Sequence, residues 1–195
     1  MKRDLIIDFD GTIADSSKRI YELFNKNHKK KGLPFEREKL KWNFEPYITN
    51  LKDKMECLSY FGEYEMYKSL EWVDEYAKDA LAELSKHYNI IICSKREPGA
   101  YDLLLSWLED NMPCPYETCF ISTFNKGMVG RRGSIVIDDK PQCLLGNKDR
   151  HKKILFGNYG YQQDEILDMD FGQTKELNKN LVRCNTWKDI LKELK

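Results

Sequence analysis

Residues 5–16 read L-I-I-D-F-D-G-T-I-A-D-S, an apolar run that stops in two carboxylates one residue apart. Leu5 to Ile7 is too short for a helix and too apolar for an exposed segment. It predicts a strand buried in a parallel sheet. Gly11 allows the sharp exit that such a strand needs. Residues two apart on an extended chain point the same way, so Asp8 and Asp10 can serve one site if strand geometry persists to the tip. Two carboxylates at one site repel unless a cation lies close, and hard oxygen donors predict Mg2+. Taken alone, the same residues also fit a plain strand running into a polar turn.

The rest of the chain alternates helical periodicity with short apolar runs. The first strand is expected over residues 4–9. From Ser16, Ile20, Leu23, Phe24 and Asn27 share one helical face, and Lys29-Lys30-Lys31-Gly32 reads as the end of that helix. Leu33-Pro34 marks a break. Leu51, Met55 and Leu58 recur at helical spacing behind Thr49 as N-cap, and no strand signal falls in residues 35–68. Leu70, Val73, Ala77, Ala80, Leu81 and Leu84 predict one long helix, broken at Asn89.

Further strands are expected at residues 90–93, 118–122, 134–137, 153–156 and 181–184. Pro98 suits the first turn of a helix carrying Tyr101, Leu104, Leu105 and Leu108. Residues 125–133 read as a polar loop, 142–145 as a short helix, and 157–170 as a loop with one helical turn. Thr186 caps a last helix with Trp187, Ile190, Leu191 and Leu194 on one face. Strands alternating with helices predict an α/β fold, a doubly wound parallel sheet. A helical cap over 16–83 is expected, inserted after the first strand, with the core at 1–15 and 84–195. Such sheets place ligands at the carboxyl ends of their strands. Asp8 and Asp10, Ser94, and Asp138-Asp139 all fall there.

With 32 basic and 32 acidic residues, the chain gives no support for bulk nucleic-acid or membrane attraction. The first residues carry too few apolar positions for a secretory leader. No stretch approaches the roughly 20 apolar residues of a membrane span. Six cysteines without a C-x-x-C pair read as reduced thiols, so a cytoplasmic location is expected. The oligomeric state stays open, and a homodimer is compatible.

The ordered motifs D-F-D-G-T at 8–12, I-I-I-C-S at 90–94, Lys126, and I-V-I-D-D at 135–139 resemble the four signatures of the haloacid dehalogenase superfamily of phosphotransferases. The resemblance implies a Rossmann-like core and a phosphatase. Asp8 would be the nucleophile, forming an aspartyl-phosphate, and Asp10 the general acid and then base. Mg2+ would be held by Asp8, the Asp10 carbonyl and Asp138, with Asp139 as a direct or water-mediated partner. Ser94, Lys95, Lys126 and the backbone N–H groups of Phe9 to Gly11, with Thr12 beside them, would bind phosphate. Lys95, Arg96, Arg131 and Arg132 compete with Lys126 as the phosphate cation. Lys126 is preferred because it opens the loop into the Asp138 strand, and Arg131-Arg132 reads as a solvated turn.

A narrower resemblance is to the 5'(3')-deoxyribonucleotidase family. It rests on the length of the insertion, on Lys126 leading into I-V-I-D-D-K-P, and on the ending L-V-R-C-N-T-W-K-D-I-L. The chain departs from that family's pattern at Lys95-Arg96, where typical members carry an early proline and Pro98 comes later. The resemblance implies a small phosphorylated substrate, a nucleoside monophosphate. Trp42, Phe44 and Tyr47 could stack on its base or pack the cap's own core. A sugar phosphate or a polynucleotide end are alternatives within the same chemistry. A phosphate- or metal-binding regulatory module without turnover is the alternative of another class.

Overall fold

The computed structural model describes residues 2–29, 32–44, 46–123, 126–146 and 149–195. Six strands form one parallel sheet: β1 Arg3–Ile7, β2 Tyr88–Lys95, β3 Glu117–Ile121, β4 Ile135–Asp138, β5 Lys152–Phe156 and β6 Leu181–Cys184. Their spatial order is β3-β2-β1-β4-β5-β6. The chain builds outward from β1 to one edge, returns to the middle, and builds outward to the other. The direction reverses between β1 and β4, the place where doubly wound sheets leave a crevice.

Side chains alternate across the strands. Leu5, Ile7, Ile90, Ile92, Ile135, Ile137, Ile154 and Phe156 form one buried face. Ile6, Ile91, Cys93, Val136 and Leu155 form the other. Each fully buried aliphatic side chain contributes about 1.5–3 kcal/mol, so two dry faces explain why these strands read as continuous apolar runs. The first face is covered by α4 Ala77–Leu84, α5 Tyr101–Asn111 and α8 Trp187–Leu194, and α1 Ser16–Asn27 joins the same apolar cluster from the insertion. The second carries α6 Gly160–Leu167 and α7 Phe171–Asn178, with Leu144 and Leu177 buried against it. No helix among the described residues is long and apolar enough to cross a membrane.

After β1 the chain turns through residues 8–12 and enters an insertion containing α1, α2 Leu51–Ser59 and α3 Tyr64–Lys68. The outgoing and returning chains pair with each other. Val73 N–H donates to the Ile13 carbonyl and Asp15 N–H to the Glu71 carbonyl, both at 2.9 Å. Asp15 also caps α1 and accepts from Arg37 Nη2 at 2.6 Å.

This pairing corrects the long helix expected over 70–84. Leu70 and Val73 are buried, but backbone groups at 71 and 73 bond to residues 13 and 15, so helix starts only at Ala77. The helical stripe there reflects burial, not one continuous element. The N-cap of α2 is Asn50, which accepts from Asp53 N–H at 2.8 Å, not Thr49. Asn89 breaks nothing: β2 already includes it.

Residues 157–170 hold α6, eight residues long where one helical turn in a loop is expected, and α7, which apolar periodicity does not predict, comes directly after. These helices bury few aliphatic residues. α7 is set by a capping box between Asp170 and Gln173, a local hydrogen-bond device that such periodicity does not report. The first strand also ends at Ile7, so extended geometry does not carry through to Asp10. Lys30 and Lys31 of the expected helix end, and Asn125 of the expected loop, lie outside the described residues.

Candidate active site

β1, β2 and β4 are adjacent and parallel, with Ile7 level with both Ile92 and Ile137. The residues next in the chain must emerge at one edge. Asp8, Asp10, Lys95, Arg96, Lys126, Asp138 and Asp139 all line a single cavity of about 840 Å3 there. Much of its apolar lining comes from the insertion, including Ile20, Leu40, Phe44, Met55, Leu58 and Phe61.

Lys126 is buried, and its Nζ donates to Asp8 and, at 2.6 Å, to Asp138. Asp138 also accepts from Lys140 N–H at 2.9 Å. Ligand oxygens of Asp8, Asp138 and Asp139 lie within 4.8 Å of one another. Three carboxylates thus crowd one ammonium, which bonds two of them. Burial, reinforced by Asp138 and Asp10 and opposed by Lys126, pushes the Asp8 carboxyl up to about 7. Burial and the neighbouring Asp8 and Asp138 hold Asp139 well above the usual carboxylate range. Burial alone would lower the Lys126 ammonium, yet Asp138 and Asp8 outweigh it and raise it. A surplus of buried, converging oxygen donors is the donor set of a hard divalent cation. The residues therefore fit a metal.

Asp139 accepts from the Tyr161 hydroxyl and from Thr12 Oγ1, the latter at 3.3 Å. The Tyr159 hydroxyl donates to the Gly11 carbonyl at 2.7 Å. Gly11 has φ +72°, and a Cβ there would lie 3.0 Å from Asp139 Oδ2. Only glycine meets both demands. These contacts correct two expected phosphate ligands. The Gly11 N–H donates to the Ala14 carbonyl at 2.8 Å, and Thr12 N–H faces the Phe9 carbonyl at 3.4 Å. Both residues shape the turn and support Asp139.

Ser94 Oγ is buried without a hydrogen-bond partner. An orphan hydroxyl at a strand end is costly, and a bound oxygen would relieve it. Lys95 is exposed on the cavity lining. Arg131 pairs with Asp4 through Nε at 2.9 Å, and Arg132 pairs loosely with Asp149 at 3.7 Å. Neither lines the cavity.

Asp10 is held by groups that sequence patterns do not assign to it. Arg96 grips both of its oxygens, Nη2 at 2.7 Å, and Ser16 Oγ donates to Oδ1 at 2.5 Å. By sequence, Arg96 is only a competitor for phosphate, Ser16 is a helix start, and Tyr161 lies in an expected loop.

The three aromatics of the insertion separate. Trp42 and Phe44 line the cavity. Trp42 is half exposed, stacks edge-on against Tyr161, and carries Lys140 Nζ 3.3 Å from its ring centroid. Tyr47 is corrected to a packing residue: its ring meets Tyr21 and its hydroxyl donates to Glu36 at 2.9 Å, away from the cavity.

Lys126 itself is set by Arg150, a buried residue on the loop before β5. Arg150 Nη2 donates to the carbonyls of Lys126, at 2.9 Å, and Val129, at 2.6 Å; its Nη1 donates to Ser134 Oγ. Arg150→Met removes this three-acceptor clamp and leaves the Lys126 carbonyl with the Val129 N–H alone, at 3.0 Å. It should cost about 3 kcal/mol, a fall in Tm of roughly 6–12 °C. Thermal unfolding followed by circular dichroism checks this, and an unchanged Tm would show that the clamp adds no net stability.

Residues 3–190 match the model of the family described as 5' nucleotidase, deoxy (pyrimidine), cytosolic type C. A 5'(3')-deoxyribonucleotidase of Clostridium acetobutylicum is 28% identical over 97% of this chain and 99% of its own length. Among solved structures, a haloacid dehalogenase-like family hydrolase from Streptococcus pneumoniae superposes with a TM-score of 0.61 at 16% identity. That match covers 100% of this chain and 99% of the other. A haloacid dehalogenase-like protein from Agrobacterium tumefaciens gives 0.57 at 13% identity, covering 98% and 97%. At such identities the structural matches speak for the fold.

Proposed function

Because the chain belongs to the 5' nucleotidase, deoxy (pyrimidine), cytosolic type C family, we propose that it is a Mg2+-dependent phosphomonoesterase acting on deoxyribonucleoside monophosphates. The observation that carries this reading is the buried cluster of Asp8, Asp138 and Asp139 around Lys126. It stands at the head of a cavity too large for phosphate alone.

In the proposed reaction an Asp8 oxygen attacks phosphorus and the P–O ester bond breaks. The ester oxygen keeps the electron pair of that bond and takes a proton from Asp10. Water then attacks the aspartyl-phosphate, giving its proton to Asp10, and Asp8 is released. Asp8, the Asp10 carbonyl and Asp138 would hold Mg2+, with Asp139 direct or through water. Bound there, the ion would supply charge relief between carboxylate and phosphate. Lys126 adds its own positive charge, and Ser94 Oγ with the N–H groups of Phe9 and Asp10 would take phosphate oxygens. Lys95 would meet the phosphate from the rim.

The insertion, expected as a cap over 16–83 and here drawn as 16–70 because residues 71 and 73 pair with 15 and 13 at its neck, would cover the leaving group and exclude water. Trp42 and Phe44 would present ring faces to a nucleobase, a contact worth about 1–3 kcal/mol. A cytosolic setting belongs to the same reading, and all six cysteines are free thiols.

A panel of nucleoside monophosphates and sugar phosphates, assayed with Mg2+, tests the substrate. Deoxyribonucleotides should lead the panel in kcat/KM. Equal or better turnover of sugar phosphates would remove the nucleotide assignment and leave the phosphatase. Trp42→Ala should raise KM about tenfold for the preferred nucleotide and less for 4-nitrophenyl phosphate. The same rise for both would make Trp42 a packing residue.

A further inference from the structure

Asp10 sits at the start of a turn, not on a strand, so nothing in the backbone alone fixes its carboxylate. Proton transfer needs it within about 2.6–3.2 Å of the ester oxygen. Two groups hold it: Ser16 Oγ, which donates to one oxygen at 2.5 Å, and Arg96, just past β2, which grips both. A guanidinium is a rigid planar fork that grips a carboxylate at two points; an ammonium cannot do so.

Arg96 is itself held in an unusual place. It is 8% exposed, and its Nε is buried with no acceptor. Its Cζ lies 5.7 Å from the Phe9 ring centroid and 5.0 Å from that of Phe61. Phe9 belongs to the sheet core, whereas Phe61 belongs to the insertion. Phe61 is tied in turn to α3, since its carbonyl accepts from the Tyr67 hydroxyl at 3.1 Å. Tyr67 is buried and adds its own electrostatic contact with Arg96. The guanidinium is therefore sandwiched between core and cap. Without the Phe61 side it would be open to water, and an exposed ion pair contributes little.

We propose that Arg96 is the positioning residue for Asp10, and that it holds Asp10 in place only while the insertion is seated on the core. Substrate enclosure and readiness to protonate the leaving group then become one event. The inference rests on the acid role proposed for Asp10. Arg96 touches neither phosphate nor leaving group in this role. It acts through the carboxylate.

The test compares first-turnover rates, with Mg2+, for two substrates. A deoxyribonucleoside monophosphate releases an alkoxide that needs the Asp10 proton. 4-Nitrophenyl phosphate releases a phenolate that does not. In Arg96→Met, the loss on the nucleotide should exceed the loss on the aryl phosphate by about tenfold or more. Arg96→Lys, which retains charge without the fork, should fall between Arg96→Met and the native protein. Phe61→Ala should shift the ratio in the same direction by a smaller factor. Equal losses on both substrates overturn the inference, and if Arg96→Met does not fold, Arg96→Lys decides it.

Asp10→Asn is the reference. If it fails to discriminate between the two substrates, the acid role falls and takes the inference with it. If it discriminates and the Arg96 variants do not, the inference alone falls. A second readout needs no catalysis. Amide hydrogen exchange over residues 60–68 of the metal-free protein should speed up about tenfold in Arg96→Met, reflecting local opening. Native-like exchange there would remove the link to the cap.

Discussion

Asp8→Asn should lower turnover of 4-nitrophenyl phosphate by about 10,000-fold or more, on the order of 5 kcal/mol of transition-state stabilisation. The amide has no charged oxygen to attack phosphorus and cannot carry the phosphoryl group. At saturating Mg2+ the loss should appear in kcat, because the remaining phosphate ligands are untouched. The variant should still fold. Lys126 keeps its 2.6 Å bond to Asp138, and removing one of three crowded carboxylates relieves repulsion. Robust turnover by Asp8→Asn would falsify the covalent mechanism, and with it the roles assigned to Asp10 and Lys126.

The second large effect is on stability and reverses with pH. The Asp8 carboxyl rises from 3.8 to about 7 on folding. A raised acid favours the folded state while protonated, so its stabilising effect is complete below about pH 4. That effect is lost as pH climbs through 7 and the unfolded chain becomes the better place for the charge. The change amounts to roughly 4 kcal/mol in the metal-free protein. Asp139, raised for the same cause, adds in the same direction. Asp4, lowered to about 2 by its bonds to Arg131, loses its contribution only below this window.

Without metal, Asp8→Asn should thus gain on the native protein as pH rises from 4 to 8, by several degrees in Tm. Added Mg2+ should stabilise the native protein more at pH 8 than at pH 5, and Asp8→Asn much less at either. Thermal unfolding of both proteins in chelator and in Mg2+ across this range reads the effect. A constant difference between them would show that Asp8 does not carry the excess charge.

The parallel sheet was legible because each strand is buried on both faces and reads as an unbroken apolar run. Ile90 to Ile92 and Ile135 to Ile137 need no partner to declare themselves. The acidic motif ends were legible for a related reason: parallel strands all deliver their carboxyl-terminal residues to the same edge of the sheet. α6 reads as a single turn and α7 escapes detection because they are held by caps and by buried polar aromatics such as Tyr161, not by an aliphatic stripe. The helix expected over 70–84 fails for the opposite reason. Its stripe is real, but the backbone of Glu71 and Val73 is taken by residues 13–15 across the neck of the insertion. Gly11 and Thr12 suggest phosphate ligands because turn N–H groups can bind anions. Only the closed turn shows Gly11 already donating to Ala14.

Strand burial and parallel direction are properties of local pattern, so the chain alone dictates a doubly wound sheet with four carboxylates and a lysine at one edge. Which partner each carboxylate takes is decided only in the folded molecule: Lys126 for Asp8, Arg96 with Ser16 for Asp10, and Tyr161 for Asp139. These pairs join residues from 6 to 118 positions apart. Their hydrogen bonds depend on distances of a few tenths of an ångström, which no spacing along the chain encodes.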